Sequence, residues 1–245
     1  MKAAPDAQRR LLDVQAIDTS LAQLAHRSRN LPEHAELDKQ AEQLQVLSDD
    51  RAKALVAVDD LDRDIARMER DVDQVRQRAA KDQSRLDSGS GAAKELESLQ
   101  HELATLARRQ TELEDAELEL MERRETAQSE LDAIDARIAN LTEEHRATEQ
   151  RRDTTVAEIA AERERLDSER GPLVGSLPED LVALYEKIRE QSGQGAALLR
   201  ARRCEGCHLE LSGGDMGKVR AAAEDEVVRC EECRRILVRT GESGL

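Results

Sequence analysis

Phenylalanine and tryptophan are absent from the 245 residues, and Tyr185 is the only aromatic side chain. Large rings normally supply much of the area buried in a thick core, so their absence excludes a globular core of ordinary depth. Only four prolines interrupt the chain, which leaves room for long helices. No apolar run approaches the roughly 20 residues of a membrane span, and the opening MKAAPDAQRR lacks the apolar stretch of a secretory leader. The expected location is the cytoplasm, where structural disulfides are disfavoured. Gly-rich phosphate loops, activated serines and His-centred constellations are missing as well. Neither catalysis nor a small-molecule substrate is expected.

What is present is charge, at 37% of residues, with an apolar set dominated by Leu, Ala, Val and Ile. That mix suits long, thin, solvent-bathed helices. Disorder is the competing reading for so charged a chain, and periodicity separates the two. The net charge of −15 is uneven: residues 1–170 hold 27 Lys and Arg against 40 Asp and Glu, and residues 171–245 hold 11 against 13. Such a field argues against attraction of the whole surface to nucleic acid or anionic lipid, while a local basic patch can still bind.

The first 170 residues carry a heptad pattern. From Leu37, alternating steps of three and four fall on Leu44, Leu47, Arg51, Ala54, Val58, Leu61, Ile65, Met68, Val72, Val75, Ala79, Asp82 and Leu86, with Gln40 as an early polar exception. This is sustained 3.5-residue periodicity. An earlier run, Val14 to Leu31, stops at Pro32, where a kink is expected. SGSG at 88–91 interrupts the pattern, which resumes at Leu96 and passes through Leu99, Leu103, Leu106, Leu113, Leu120, Leu131, Ile134, Ile138, Leu141, Ile159 and Leu166. The runs 10–87 and 93–169 have matching lengths of 78 and 77 residues. Folding at SGSG makes an antiparallel coiled-coil hairpin with arms of about 115 Å, in which Leu61 faces Leu120, Leu47 faces Ile134 and Leu24 faces Ile159. Polar residues on the seam, among them Arg51, Gln110, Glu117, Arg124 and His145, read as register devices. Closing the loop within one chain favours a monomer, with weak homodimerisation open to an outer face.

Residues 171–195 read as a linker with a short amphipathic helix, LPEDLVALYEKIRE, ended by QSGQG. In 196–245, AALLRAR, DEVVRC and RRILVRT have the character of strands. The strongest chemical signal lies here: Cys204, Cys207, Cys230 and Cys233, spaced C-x2-C-x22-C-x2-C. Each C-x-x-C wraps a knuckle that points two sulfurs at one ion, and two knuckles complete a tetrahedral four-thiolate site for zinc. Iron also accepts four thiolates, and a redox dithiol pair is the other alternative. Read alone, CEGCH at 204–208 is the attachment signal for a c-type haem, but that chemistry follows export, and with four thiolates at hand His208 need not bind anything, a role as alternative or outer ligand being the lesser reading. A closed four-thiolate sphere leaves no water site, so the expected ion is one structural Zn2+ that holds the small module folded.

Arg200, Arg202, Arg203, Arg229, Arg234, Arg235 and Arg239 surround the knuckles and are candidate phosphate contacts for RNA or DNA. Acidic residues share the module, and no aromatic is there for base stacking.

The arrangement resembles the bacterial coiled-coil hairpin proteins with a C-terminal four-cysteine zinc ribbon. The resemblance rests on KELESLQHEL at 94–103, LPEDLVALYEKIR at 177–189 and CEECRRIL at 230–237, besides the cysteine spacing. It implies a mainly α fold, a long antiparallel coiled-coil helical hairpin followed by a small β-containing zinc ribbon. It also implies zinc on Cys204, Cys207, Cys230 and Cys233 and a non-enzymatic adaptor role. Relatives are linked to nucleic acid, to an alternative sigma factor and to flagellar or type III secretion components. The leading expectation is an adaptor that binds nucleic acid or a nucleic-acid-associated protein through the ribbon and protein partners along the coil. A protein-only chaperone or scaffold and a zinc-thiolate redox switch are the alternatives.

Overall fold

The computed structural model describes residues 1–245. Contacts divide the chain into two compact units, one of residues 35–149 and one of residues 1–34 with 150–245. Five helices and four short strands follow in order: α1 (Pro5–Arg29), α2 (Pro32–Asp87), α3 (Ala93–Gly175), α4 (Glu179–Ser192), β1 (Ala196–Arg200), β2 (Arg203–Cys204), α5 (Gly213–Ala221), β3 (Val228–Arg229) and β4 (Ile236–Val238). The fold is a long helical hairpin followed by a small strand-containing ribbon.

Within residues 35–149 the seam follows the heptads. Every named seam residue of α2 from Leu37 to Leu86 is buried or half-buried, apart from Arg51. Pairs across the arms set the alignment. Arg51 Nε donates to Asp135 at 2.6 Å and Arg124 Nε to Asp62 at 2.9 Å, while Arg76 reaches Glu114 at 2.7 Å and Arg78 pairs with Glu102. These contacts agree with a positions of one arm facing d positions of the other, which brings Leu61 level with Arg124 and Arg51 level with Ile134. The alignment expected from the turn, Leu61 with Leu120 and Leu47 with Ile134, is therefore displaced by one seam step. Equal arm lengths fix the fold point only to within a few residues, whereas flanking charges select one of the neighbouring alignments. Both seam arginines send the guanidinium sideways to the aspartate that follows the apolar residue opposite.

Two polar seam positions are handled differently. Thr148, which the apolar pattern passes over, is buried; its Oγ1 accepts from Gln40 Nε2 at 3.3 Å and donates to the Glu144 carbonyl at 3.0 Å. Asp82 is buried as well, and its Oδ2, like Gln40 Oε1, has no hydrogen-bond partner in the protein.

The other unit is built around the single aromatic. α1 ends at Asn30 because Pro32 offers no N–H and pushes Leu31 out of the helical region. Leu11 and Val14 of α1, Leu181, Tyr185 and Ile188 of α4, and Ala196, Ile236 and Val238 of the sheet form one core. Residues 171–195 are thus packed rather than free. α3 continues through Pro172 to Gly175, where Leu173 and Val174 lie against this core. Tyr185 Oη donates to Asp18 Oδ2 at 2.6 Å, and Arg170 Nε donates to Asp18 Oδ1 at 2.7 Å. Gln15 Oε1 accepts from the backbone N–H groups of Gly195 and Ala196 at 2.7 and 3.2 Å. A side chain at Gly195 would come within 2.4 Å of the Tyr185 ring, so the glycine in QSGQG is required by close approach.

The sheet order is β2-β1-β4-β3, with β1 and β4 parallel and the other pairs antiparallel. The two-residue period divides β1 and β4 between two faces: Ala196, Ile236 and Val238 join the helices, while Ala197, Leu199 and Leu237 join the cysteines. The first residues add to the outer edge of the sheet, with a bridge between Lys2 and Glu226 and hydrogen bonds from Ala3 N to the Asp225 carbonyl and from Val227 N to the Met1 carbonyl.

A buried carboxylate without a partner is costly. Asp82→Leu is expected to stabilise the protein by about 1–2 kcal/mol, seen as slower amide exchange near residues 79–103 and a higher thermal midpoint. Unchanged exchange would show that Asp82 is compensated.

Candidate metal centre

Cys204 lies on β2 and Cys207 in the turn after it; Cys230 follows β3 and Cys233 precedes β4. The four Sγ atoms lie within 4.8 Å of one another, with Cys204–Cys233 at 3.8 Å and Cys207–Cys230 at 3.9 Å. A tetrahedron with Zn–S bonds of about 2.3 Å has S···S edges of about 3.8 Å, so the sulfurs fit one structural zinc.

The two knuckles repeat the same local geometry. Cys204 N donates to the Leu209 carbonyl at 3.0 Å, and Cys230 N to the Arg235 carbonyl at 2.9 Å. The residue after each second cysteine closes the turn, His208 N donating to the Cys204 carbonyl at 2.7 Å and Arg234 N to the Cys230 carbonyl at 2.9 Å. Both closing residues are left-handed, at φ 58° and 63°. His208 is therefore a turn residue used through its backbone, equivalent to Arg234, which accounts for the haem-like C-x-x-C-H. At Gly206 an added Cβ would meet Arg235 Cδ at 2.7 Å and Ala197 Cβ at 2.9 Å.

Burial pushes the Cys204 thiol up to about 12, against hydrogen bonds from the Cys207 and Gly206 backbone that favour the thiolate. Burial also raises Cys230. Cys233 is half-buried, which works to raise it, yet donors outweigh that and lower it, with the backbone N–H of Arg235 foremost. Without metal the deeper thiols keep their protons at neutral pH, and a bound cation supplies the charge that makes thiolates stable.

The seven candidate arginines separate into groups. Arg239 donates to the carbonyls of Val219, Ala222, Ala223, Glu224 and Glu226, closing the end of α5 and the loop after it. Arg235 donates to the Gly206 carbonyl at 2.8 Å and the Ser192 carbonyl at 3.2 Å. Arg203 is exposed, with Nε on the His208 carbonyl at 2.7 Å. Arg200, Arg202, Arg229 and Arg234 are exposed. Three of these face carboxylates, Arg200 with Glu242 at 2.9 Å, Arg202 with Glu210 at 3.9 Å and Arg234 with Glu231 at 3.9 Å. The sequence treated the seven alike because it does not show which carbonyls lack partners.

Residues 14–193 match the CT398-like coiled coil hairpin domain family, and residues 203–237 match the C4-type zinc ribbon domain. A Mycobacterium tuberculosis protein of uncharacterised function is 41% identical over 239 residues, 98% of each chain. A solved structure from Mycobacterium smegmatis aligns with a TM-score of 0.85 at 40% identity, over 98% of this chain and 100% of that one. CT398 from Chlamydia trachomatis aligns with a TM-score of 0.64 at 21% identity, over 95% and 97%, a likeness of fold. No helix is long and apolar enough to cross a membrane.

Because zinc must displace protons from Cys204 and Cys230, its affinity is expected to fall by more than about one decade per pH unit as pH drops below 7, measured by competition with a chromogenic chelator. A pH-independent affinity would contradict the raised thiols. His208→Gly is expected to keep one zinc per chain and to be neutral or stabilising by up to about 1 kcal/mol, whereas His208→Val destabilises. Loss of zinc in His208→Gly would show that the imidazole is needed.

Proposed function

Because the chain belongs to the CT398-like coiled-coil hairpin family and ends in a C4-type zinc ribbon, we propose that it is a non-enzymatic adaptor. In this reading the ribbon contacts RNA, DNA or a nucleic-acid-associated protein, and the hairpin holds protein partners. Neither matched family is an enzyme family. The observation that carries the reading is the closed four-thiolate site: four sulfurs at tetrahedral spacing leave no open position for a reacting ligand. The zinc therefore stiffens a surface instead of performing chemistry. Of the seven arginines, Arg200, Arg202, Arg229 and Arg234 are those not committed to backbone carbonyls, and they suit phosphate.

A protein-only scaffold is the second reading, favoured by the carboxylates already beside Arg200, Arg202 and Arg234. The two separate in a titration of labelled single-stranded RNA and duplex DNA at several salt concentrations. The adaptor reading expects affinity to fall linearly on a log–log salt plot. It also expects the Arg200→Ala, Arg202→Ala, Arg229→Ala, Arg234→Ala variant to reduce the slope by roughly 3 while keeping its zinc. Salt-insensitive binding, or binding unchanged in that variant, favours the scaffold.

A further inference from the structure

The unit of residues 35–149 includes a groove that the coil's own packing does not fill. Its floor is Leu47 and Leu141 of the seam, with Val46 beside them, and it encloses about 470 Å³ between α2 and α3. Val46 is 56% exposed, among the most exposed large apolar side chains of the protein. Glu42, Asp50 and Glu144 stand around it with Arg137 as the only cation. Asp50 is held by Lys53, but Glu42, Arg137 and Glu144 have no side-chain partner. The Arg51–Asp135 pair bridges the arms at this level, whereas no ion pair joins groove residues of one arm to those of the other.

An apolar floor flanked by the unpaired carboxylates of Glu42 and Glu144 selects its occupant. A second copy of the hairpin would bring a surface of the same sign, since residues 1–170 carry 40 acidic against 27 basic side chains, and like charges oppose that contact. The lining runs from Glu42 to Asp50 along α2, about 12 Å at 1.5 Å per residue, or two helical turns. Resting on the adaptor reading, we propose that this groove is the docking site for a basic amphipathic helix of a partner protein. Two aliphatic side chains four residues apart lie on Val46, Leu47 and Leu141, and flanking Lys or Arg neutralise Glu42 and Glu144. Such a helix makes a local three-helix layer without disturbing the seam beneath.

The test uses the full-length zinc-loaded protein and a fluorescein-labelled helical peptide carrying two leucines at i and i+4 flanked by lysines, read by fluorescence anisotropy in about 0.15 M salt. Val46→Ser, and separately Glu42→Gln with Glu144→Gln, are expected to weaken binding by about tenfold or more. Glu97→Gln with Glu119→Gln, exposed carboxylates away from the groove, should change it less than about twofold. Equal weakening in the control pair would reduce the effect to bulk charge and overturn the site. Insensitivity to Val46→Ser, or absence of peptide binding, would overturn it as well. All three variants leave the ribbon untouched, so failure here is separate from failure of nucleic-acid binding at the arginines.

Discussion

Asp18 is the constraint around which the ribbon-bearing unit is organised. A carboxylate 5% exposed on α1 must find its compensation inside the protein, because water cannot supply it. Its partners come from elsewhere in the chain: Arg170 at the end of α3 and Tyr185 of α4, with Arg189 at 3.5 Å and Glu186 joining Arg170 to Arg189. Meeting that one requirement fixes three helices against each other. Beside it, Gln15 reads the backbone at Gly195 and Ala196 where β1 starts. A chain without Phe or Trp thus orders a core by placing its only ring at a polar knot. Burial, aided by Asp18, holds the phenol well above its ordinary value, so the hydroxyl keeps the proton that it donates.

From that knot the sheet carries order to the metal site. β1 and β4 show one face to α1 and α4 and the other to the cysteines, so the knuckles are hung on strands already packed from behind. Arg235 spans the same distance at the surface. It ties the Gly206 carbonyl of one knuckle to the Ser192 carbonyl at the end of α4. Its place in the site is a structural one, between the two knuckles and the helix.

The hairpin residues 35–149 obey different physics. No thick core exists there, and stability comes from a narrow seam repeated along two helices. Its polar interruptions are graded by their partners. The seam arginines escape sideways to aspartates, Gln40 donates to Thr148 but leaves its own Oε1 without a partner, and Asp82 keeps a bare oxygen. The arginine pairs select alignment at little cost, while each bare oxygen is a local weakness. Acidic side chains outside the cross-arm pairs, Glu42 and Glu144 among them, stay exposed along the two helices.

Periodicity and spacing determined the hairpin, its turn at SGSG and the four metal ligands, because heptads and paired C-x-x-C motifs are local patterns whose geometry follows from residue separation alone. Tertiary structure decided the rest. That α1 belongs with α4 and the sheet, that Met1 to Ala3 edge the ribbon, and that Pro172 lies within a helix depend on long-range associations, such as Leu11 sharing a core with Ile236 and Asp18 pairing with Arg170, separated by more than 150 residues. The alignment of the arms was beyond the apolar pattern, since neighbouring registers bury similar leucines and only the charged flanks distinguish them. Among seven similar arginines, those that close carbonyls and those that face solvent differ only in what the folded backbone leaves unpaired beside them.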